Sequence, residues 1–107
     1  MKKRDFAPLH PGEVLMEEFL IPLNISQHQL AITMRVAQQK INDIARGKRS
    51  VTPDTALRLA AALGTTPEFW LGLQQEYDLD CAREKSGEII ENEVKRLVES
   101  ALIVGKS

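Results

Sequence analysis

Gln38, Gln39 and Lys40 are three consecutive polar side chains that follow the small residue Ala37. A glutamine amide donates and accepts at once, which matches adenine N6 and N7 in the major groove of DNA. Lysine reaches guanine O6 and N7, or a phosphate. Asn42 and Asp43 lie one helical turn further along. Around them Arg35, Lys40, Arg46, Lys48 and Arg49 stand against Asp43 alone. A local cluster of this sign can neutralise phosphates whatever the net charge of the chain. The same residue types also make an ordinary solvated helix face, because glutamine and lysine are good helix formers. The chemistry available here is base and phosphate recognition, or none.

Other groupings of reactive side chains are poor. His10 and His28 are the only histidines, and they lie on separate segments with no acidic pair at ligand spacing. No metal site is expected. Glu17 and Glu18 read as surface solvation rather than paired catalytic carboxylates. Cys81 is the single cysteine, so no internal disulfide is possible. It reads as a semi-buried small residue. No glycine-rich phosphate loop and no serine-centred nucleophile pattern is present. Neither an enzyme nor a cofactor is expected.

The bulk properties agree with a small soluble domain. The chain has 107 residues, 43% hydrophobic and 27% charged, with a net charge of −1. Residues 1–50 hold eight basic and five acidic side chains, and residues 51–107 hold six and ten. The basic charge therefore gathers in the first half. No apolar run approaches the roughly 20 residues of a membrane span. Lys2, Lys3 and Arg4 are followed by Pro8 and Pro11 rather than by an apolar stretch, so no signal peptide is expected. The cytoplasm is the expected location.

Helical spacing recurs, and strand signals are weak. Pro11 suits the first position of a helix that carries Val14, Leu15, Phe19 and Leu20 and stops before Pro22. His10 is placed to help cap it. Ser26 caps a second helix whose inner face is Leu30, Ala31 and Met34. A break at Arg35 and Val36 precedes a third helix from about Ala37 to Arg46, with Ile41, Ile44 and Ala45 inward and Gly47 as its stop. Thr52, Pro53 and Asp54 open a fourth helix, filled by Ala56, Leu57, Leu59, Ala60 and Leu63 and ended by Gly64. Thr66, Pro67 and Glu68 open a fifth in the same way. Its apolar stripe is Phe69, Trp70, Leu73 and Tyr77, and it extends to about Arg83. Ser86 and Gly87 interrupt the pattern. A last amphipathic helix is expected beyond them, with Ile90, Val94, Leu97, Val98, Ala101 and Leu102 on one side. The chain thus divides into an arm (1–8), a five-helix domain (9–85) and a helical extension (86–107).

Two short helices joined by a tight turn form a DNA-reading arrangement in which the second helix enters the major groove. Gln27, Leu30 and Ala31, then Val36, Gln38, Gln39 and Ile41, then Gly47, resemble the helix-turn-helix of the phage-repressor and Xre superfamily. The blocks His10 to Leu15, Glu17 to Leu20, Pro22-Leu23, Gly47 to Arg49, Thr52 to Ala60 and Thr66 to Leu71 are similar, in this order, to HigA-type antitoxins. That branch includes proteins called virulence-associated protein I. The likeness covers residues 9–83.

The resemblance implies an all-α, phage-repressor-like fold and two tasks. Such proteins bind an operator near their own gene as homodimers, and they neutralise a HigB toxin, an mRNA interferase resembling RelE. By position, Gln38, Gln39 and Lys40 would read bases. Gln27 would contact a phosphate, as would Arg46, Lys48 and Arg49 at the exit of the third helix. Arg35, Ala37, Asn42 and Asp43 complete the expected DNA-facing set. Phe69, Trp70, Leu73, Tyr77, Ile90, Val94 and Leu97 are candidates for the homodimer interface.

Two positions depart from the family pattern. Arg35 stands where glycine is usual, at a cost of roughly 1–2 kcal/mol if φ is positive. A phosphate contact would offset it. Ala37 replaces the usual Ser or Thr cap, a loss of about 1 kcal/mol. These departures favour a second reading, a toxin-binding module that reads DNA weakly. A repressor without a toxin is a third.

Overall fold

The computed structural model describes residues 8–98, which contain five α-helices and no strand. Residues 1–7 of the expected arm, and the apolar positions Ala101 and Leu102, lie outside that range.

Helix α1 (Pro11–Val14) begins as expected. His10 is its N-cap, and Nδ1 accepts a bond from the Gly12 backbone N–H at 2.9 Å. The helix does not stay α-helical. Leu15–Leu20 continue it as a π-helix, with Ile21 N–H bonding back to Met16 O at 3.0 Å. The wider turn still places Leu15 and Leu20 in the core. The chain then reverses through Asn24, at φ 58°.

Helix α2 (Gln27–Met34) is capped by Ser26, whose hydroxyl accepts from the Gln29 N–H at 2.9 Å. Leu30, Ala31 and Met34 are buried. Arg35 ends the helix at φ 61°, ψ 44°. Helix α3 (Gln38–Ala45) follows after two residues and turns Ile41 and Ile44 into the core. Gly47, at φ 76°, closes it.

Helix α4 (Pro53–Leu63) is capped by Thr52 and ended by Gly64 at φ 76°. Ala56 and Leu59 are fully buried, and Leu63 is packed at the edge of the core. Leu57 does not fill the interior as expected. It is one step round the helix from Ala56 and 59% exposed.

Helix α5 (Pro67–Glu93) departs most from the expectation. It runs unbroken through Ser86 and Gly87 for 27 residues, about 40 Å at the usual rise. Among the described residues there is no separate last helix. Glycine costs about 1 kcal/mol inside a helix. Here good helix formers on both sides, Ala82 to Lys85 and Glu88, carry the pattern across. After Glu93 the described chain leaves the helix, with Val94 extended at φ −98°, ψ 119°.

The core lies where all five helices meet. Trp70 is its largest member and is fully buried. Its Nε1 donates to Thr65 Oγ1 at 2.7 Å, and the rings of Phe19 and Phe69 pack on it with centroids 5.4 and 5.0 Å away. Next to this core, His10 ties three segments together. Besides capping α1, its ring faces the Arg49 backbone and meets Tyr77 of α5 edge-on at 4.7 Å.

Burial holds the His10 imidazole below its ordinary value of 6.5, outweighing Asp78 and Glu13, which pull it upward. The unfolded chain therefore binds this proton first as pH falls. The stability linked to neutral His10 is complete above the unfolded value and is lost as pH drops through the folded one. We expect denaturant midpoints of the wild-type protein to fall between about pH 7 and pH 5. A His10→Asn variant keeps a capping acceptor without the titration, so its midpoints should fall less. Parallel profiles for the two proteins would show that His10 does not carry the effect.

Candidate nucleic-acid interface

Helices α2 and α3 are held at a fixed angle by a turn of three residues and by polar side chains across their junction. Arg35 supplies the left-handed residue of that turn, and Val36 N–H returns to Ala31 O at 3.0 Å. Glycine would adopt this conformation without strain. Arg58 of α4 supports the same spot. Its Nη1 donates to the Met34 carbonyl at 2.8 Å while its Nε is held by Asp54 at 2.9 Å. A cation at the last carbonyls of a helix is favourable. Replacing Arg35 with glycine should therefore raise thermal stability, by about 1 kcal/mol. A lower melting midpoint for Arg35→Gly would show that the arginine side chain contributes more than its backbone costs.

The start of α3 is open. Gln38 and Gln39 are exposed, and Lys40 is half-buried. Ala37 precedes them in extended conformation and supplies no side-chain cap, although Lys40 N–H bonds its carbonyl at 3.0 Å. Arg35, Arg46, Lys48 and Arg49 are all exposed around the two ends of α3.

The remaining expected DNA-facing residues are engaged inside the protein. Asn42 donates to Gln27 Oε1 at 3.3 Å, and Gln27 Nε2 reaches the Met16 sulfur at 3.7 Å. These bonds brace α3 against α2 and the first helix, leaving less of either amide for a ligand. Asp43 accepts from Gln39 Nε2 at 2.8 Å and faces Arg49 at 3.8 Å. An anion here repels phosphate, so its use is to hold its neighbours.

The segment after α3 is fixed from below. Val51 is buried, and its N–H donates to Gln74 Oε1 at 2.8 Å. Gln74, buried on α5, donates in turn to Asp78 at 3.0 Å. The His10 ring faces the backbone at Arg49. Gln74 and His10 thus support the basic loop, and Arg58 supports the turn before α3, roles that sequence reading did not assign to them. A lone glutamine in an apolar stripe carries no mark of the strand of chain it will satisfy.

The candidate interface residues of α5 separate into groups. Trp70 is inside the protomer and is removed from the set. Tyr77 is half-buried against His10. Phe69 is 40% exposed and, with Leu73, Gly72 and Leu79, lines a shallow groove along the helix. Ile90, Val94 and Leu97 are exposed.

Among the described residues no helix is long and apolar enough to cross a membrane, and no group of His, Cys, Asp or Glu is placed to hold a metal. Two short helices set across a tight left-handed turn, with the second presenting polar and basic side chains, define a helix-turn-helix domain. The helix-turn-helix family model matches residues 16–70. Virulence-associated protein I of Dichelobacter nodosus is 43% identical over 77% of this chain and 76% of its own. Antitoxin HigA-1 of Vibrio cholerae is 42% identical over 74% of each. The structure of the Pseudomonas aeruginosa antitoxin HigA with the higBA promoter superposes with a TM-score of 0.82 at 41% identity, over 85% of this chain and 99% of that one. The chain belongs to the helix-turn-helix family, on the branch of the HigA-type antitoxins.

Proposed function

We propose that this protein is a sequence-specific DNA-binding repressor that acts as the antitoxin of a two-gene toxin–antitoxin pair, in the cytoplasm. The observation that carries this reading is the open first turn of α3. Gln38 and Gln39 are exposed there, and Arg35, Arg46, Lys48 and Arg49 are exposed beside them on a braced frame. In this reading α3 enters the major groove, Gln38, Gln39 and Lys40 meet base edges, and the basic residues meet phosphates. Phosphate contacts set register and affinity, and base contacts set sequence choice. The HigA relative solved with its promoter supports the assignment.

One α3 helix reads only a few base pairs. Two copies related by a two-fold axis read half-sites one helical turn apart. The α5 groove lined by the exposed Phe69 and Leu79 and the partly buried Leu73 is the surface proposed to join them. The second task, neutralising a HigB or RelE-like toxin, follows from the antitoxin relatives. The site has the character of a binding surface and not of a catalytic one.

Footprinting with the purified chain tests both tasks together. We expect protection of a two-fold symmetric stretch upstream of its own gene, and stable co-purification with the product of the adjacent gene. Protection without co-purification would make it a repressor with no toxin. Co-purification without protection would make it a toxin-binding module.

A further inference from the structure

The two exposed glutamines of α3 are held by opposite ends of their amides. His28 Nδ1, in the first turn of α2, lies 3.0 Å from Gln38 Oε1. A carbonyl oxygen can only accept, so Nδ1 carries the proton of this bond. The Nε2 amino group of Gln38 is left without a partner among the described residues. One residue on, the arrangement reverses. Gln39 donates through Nε2 to Asp43 Oδ1 at 2.8 Å, leaving its Oε1 without a partner. Neither His28 nor Asp43 needs to touch DNA to matter.

We propose that His28 and Asp43 are specificity-determining positioning residues that fix neighbouring glutamines with opposite polarity, so that Gln38 offers a donor to the groove and Gln39 an acceptor. This inference rests on the DNA-reading function proposed above. A free glutamine amide turns over easily and pairs with adenine through both ends. Held amides discriminate differently. The Gln38 amino group suits guanine O6 or N7, adenine N7 or thymine O4, and it meets no acceptor on cytosine. The Gln39 oxygen suits the amino groups of adenine N6 or cytosine N4. His28 on α2 and Asp43 one turn along α3 hold the two amides from different sides, so each can be released alone. Asp43 also faces Arg49, so its removal will alter general affinity as well as base choice.

The test is selection of binding sites from a randomised duplex pool by the full chain and its variants. Gln38→Ala and Gln39→Ala first locate the base pair that each glutamine reads. Wild type should exclude cytosine at the first and choose adenine or cytosine at the second. His28→Ala should lose about tenfold discrimination at the Gln38 position alone, and His28→Gln, which restores a donor to Oε1, should recover it. Asp43→Ala should relax only the Gln39 position. Circular dichroism of each variant checks that the fold is kept. The proposal is overturned if His28→Ala and Asp43→Ala leave base preference unchanged or weaken all sequences equally. A wild-type protein with no base preference at any position would defeat the DNA-reading function itself, a separate result.

Discussion

Gly12→Ala should destabilise the fold more than any single change at the surface of the interface. Gly12 is the second residue of α1 and packs directly on the end of α3. A β-carbon there would overlap the Ile44 carbonyl oxygen, and would lie 2.8 Å from Ile44 C and 3.0 Å from Ala45 Cα. All three are backbone atoms, so no side chain can rotate away. Relief requires α1 and α3 to separate, which opens the core at Leu15, Ile41 and Ile44, each no more than 1% exposed. We expect a loss of about 3 kcal/mol or more, at the upper end of overpacking costs. Because α3 is the element displaced, DNA affinity should fall even where the variant stays folded. Equilibrium denaturation checks the first effect and binding at low temperature the second. A Gly12→Ala protein of wild-type stability would mean that the two helices do not meet as closely as this.

The second large effect is expected at the opposite face of the same helix. Gln38→Ala combined with Gln39→Ala removes two amides without touching the core, since both residues are exposed. Each specific pairing with a base edge is worth about 1–3 kcal/mol. Together they should reduce affinity for the operator about a hundredfold or more. Binding to unrelated duplexes should hardly change, because the exposed basic residues remain. The melting temperature should stay near that of wild type. A uniform loss on every sequence would place the two glutamines on phosphates instead.

These effects differ in how far they were legible beforehand. The helix starts were plain, because Ser26, Thr52 and Thr66 cap them through side-chain bonds that depend on local sequence. Pro53 and Pro67 reinforce two of them. The left-handed turn at Arg35 was anticipated only through the family resemblance, which has a glycine at this position. The third helix, its inward Ile41 and Ile44, and the exposure of Gln38 and Gln39 followed from periodicity.

What was hidden depends on contacts between distant segments. Gly12 has no side chain, so nothing in its neighbourhood announces that Ile44 will press on it. Trp70 and Phe69 share one apolar stripe, yet Trp70 is sealed in the core and Phe69 is at the surface. Periodicity gives a face, not its depth. Ser86 and Gly87 were read as a break because each is a weak helix former, whereas the residues around them carry α5 onward. The π-helical turn at Leu15–Leu20 leaves the apolar order of the first helix intact and so has no distinct pattern. The bonds from His28 to Gln38 and from Asn42 to Gln27 cross the turn between two helices. They decide which polar groups face outward, and spacing along the chain does not encode them.

The most direct measurement is fluorescence anisotropy with the duplex found upstream of this gene and a scrambled duplex of the same length, over a range of salt concentrations. We predict tight binding to the upstream duplex and weaker binding to the scrambled one, with a gap that persists as salt is raised. Binding that is equal on both duplexes and collapses together with salt would reveal phosphate attraction alone, and would contradict the assignment of α3 as a sequence-reading helix.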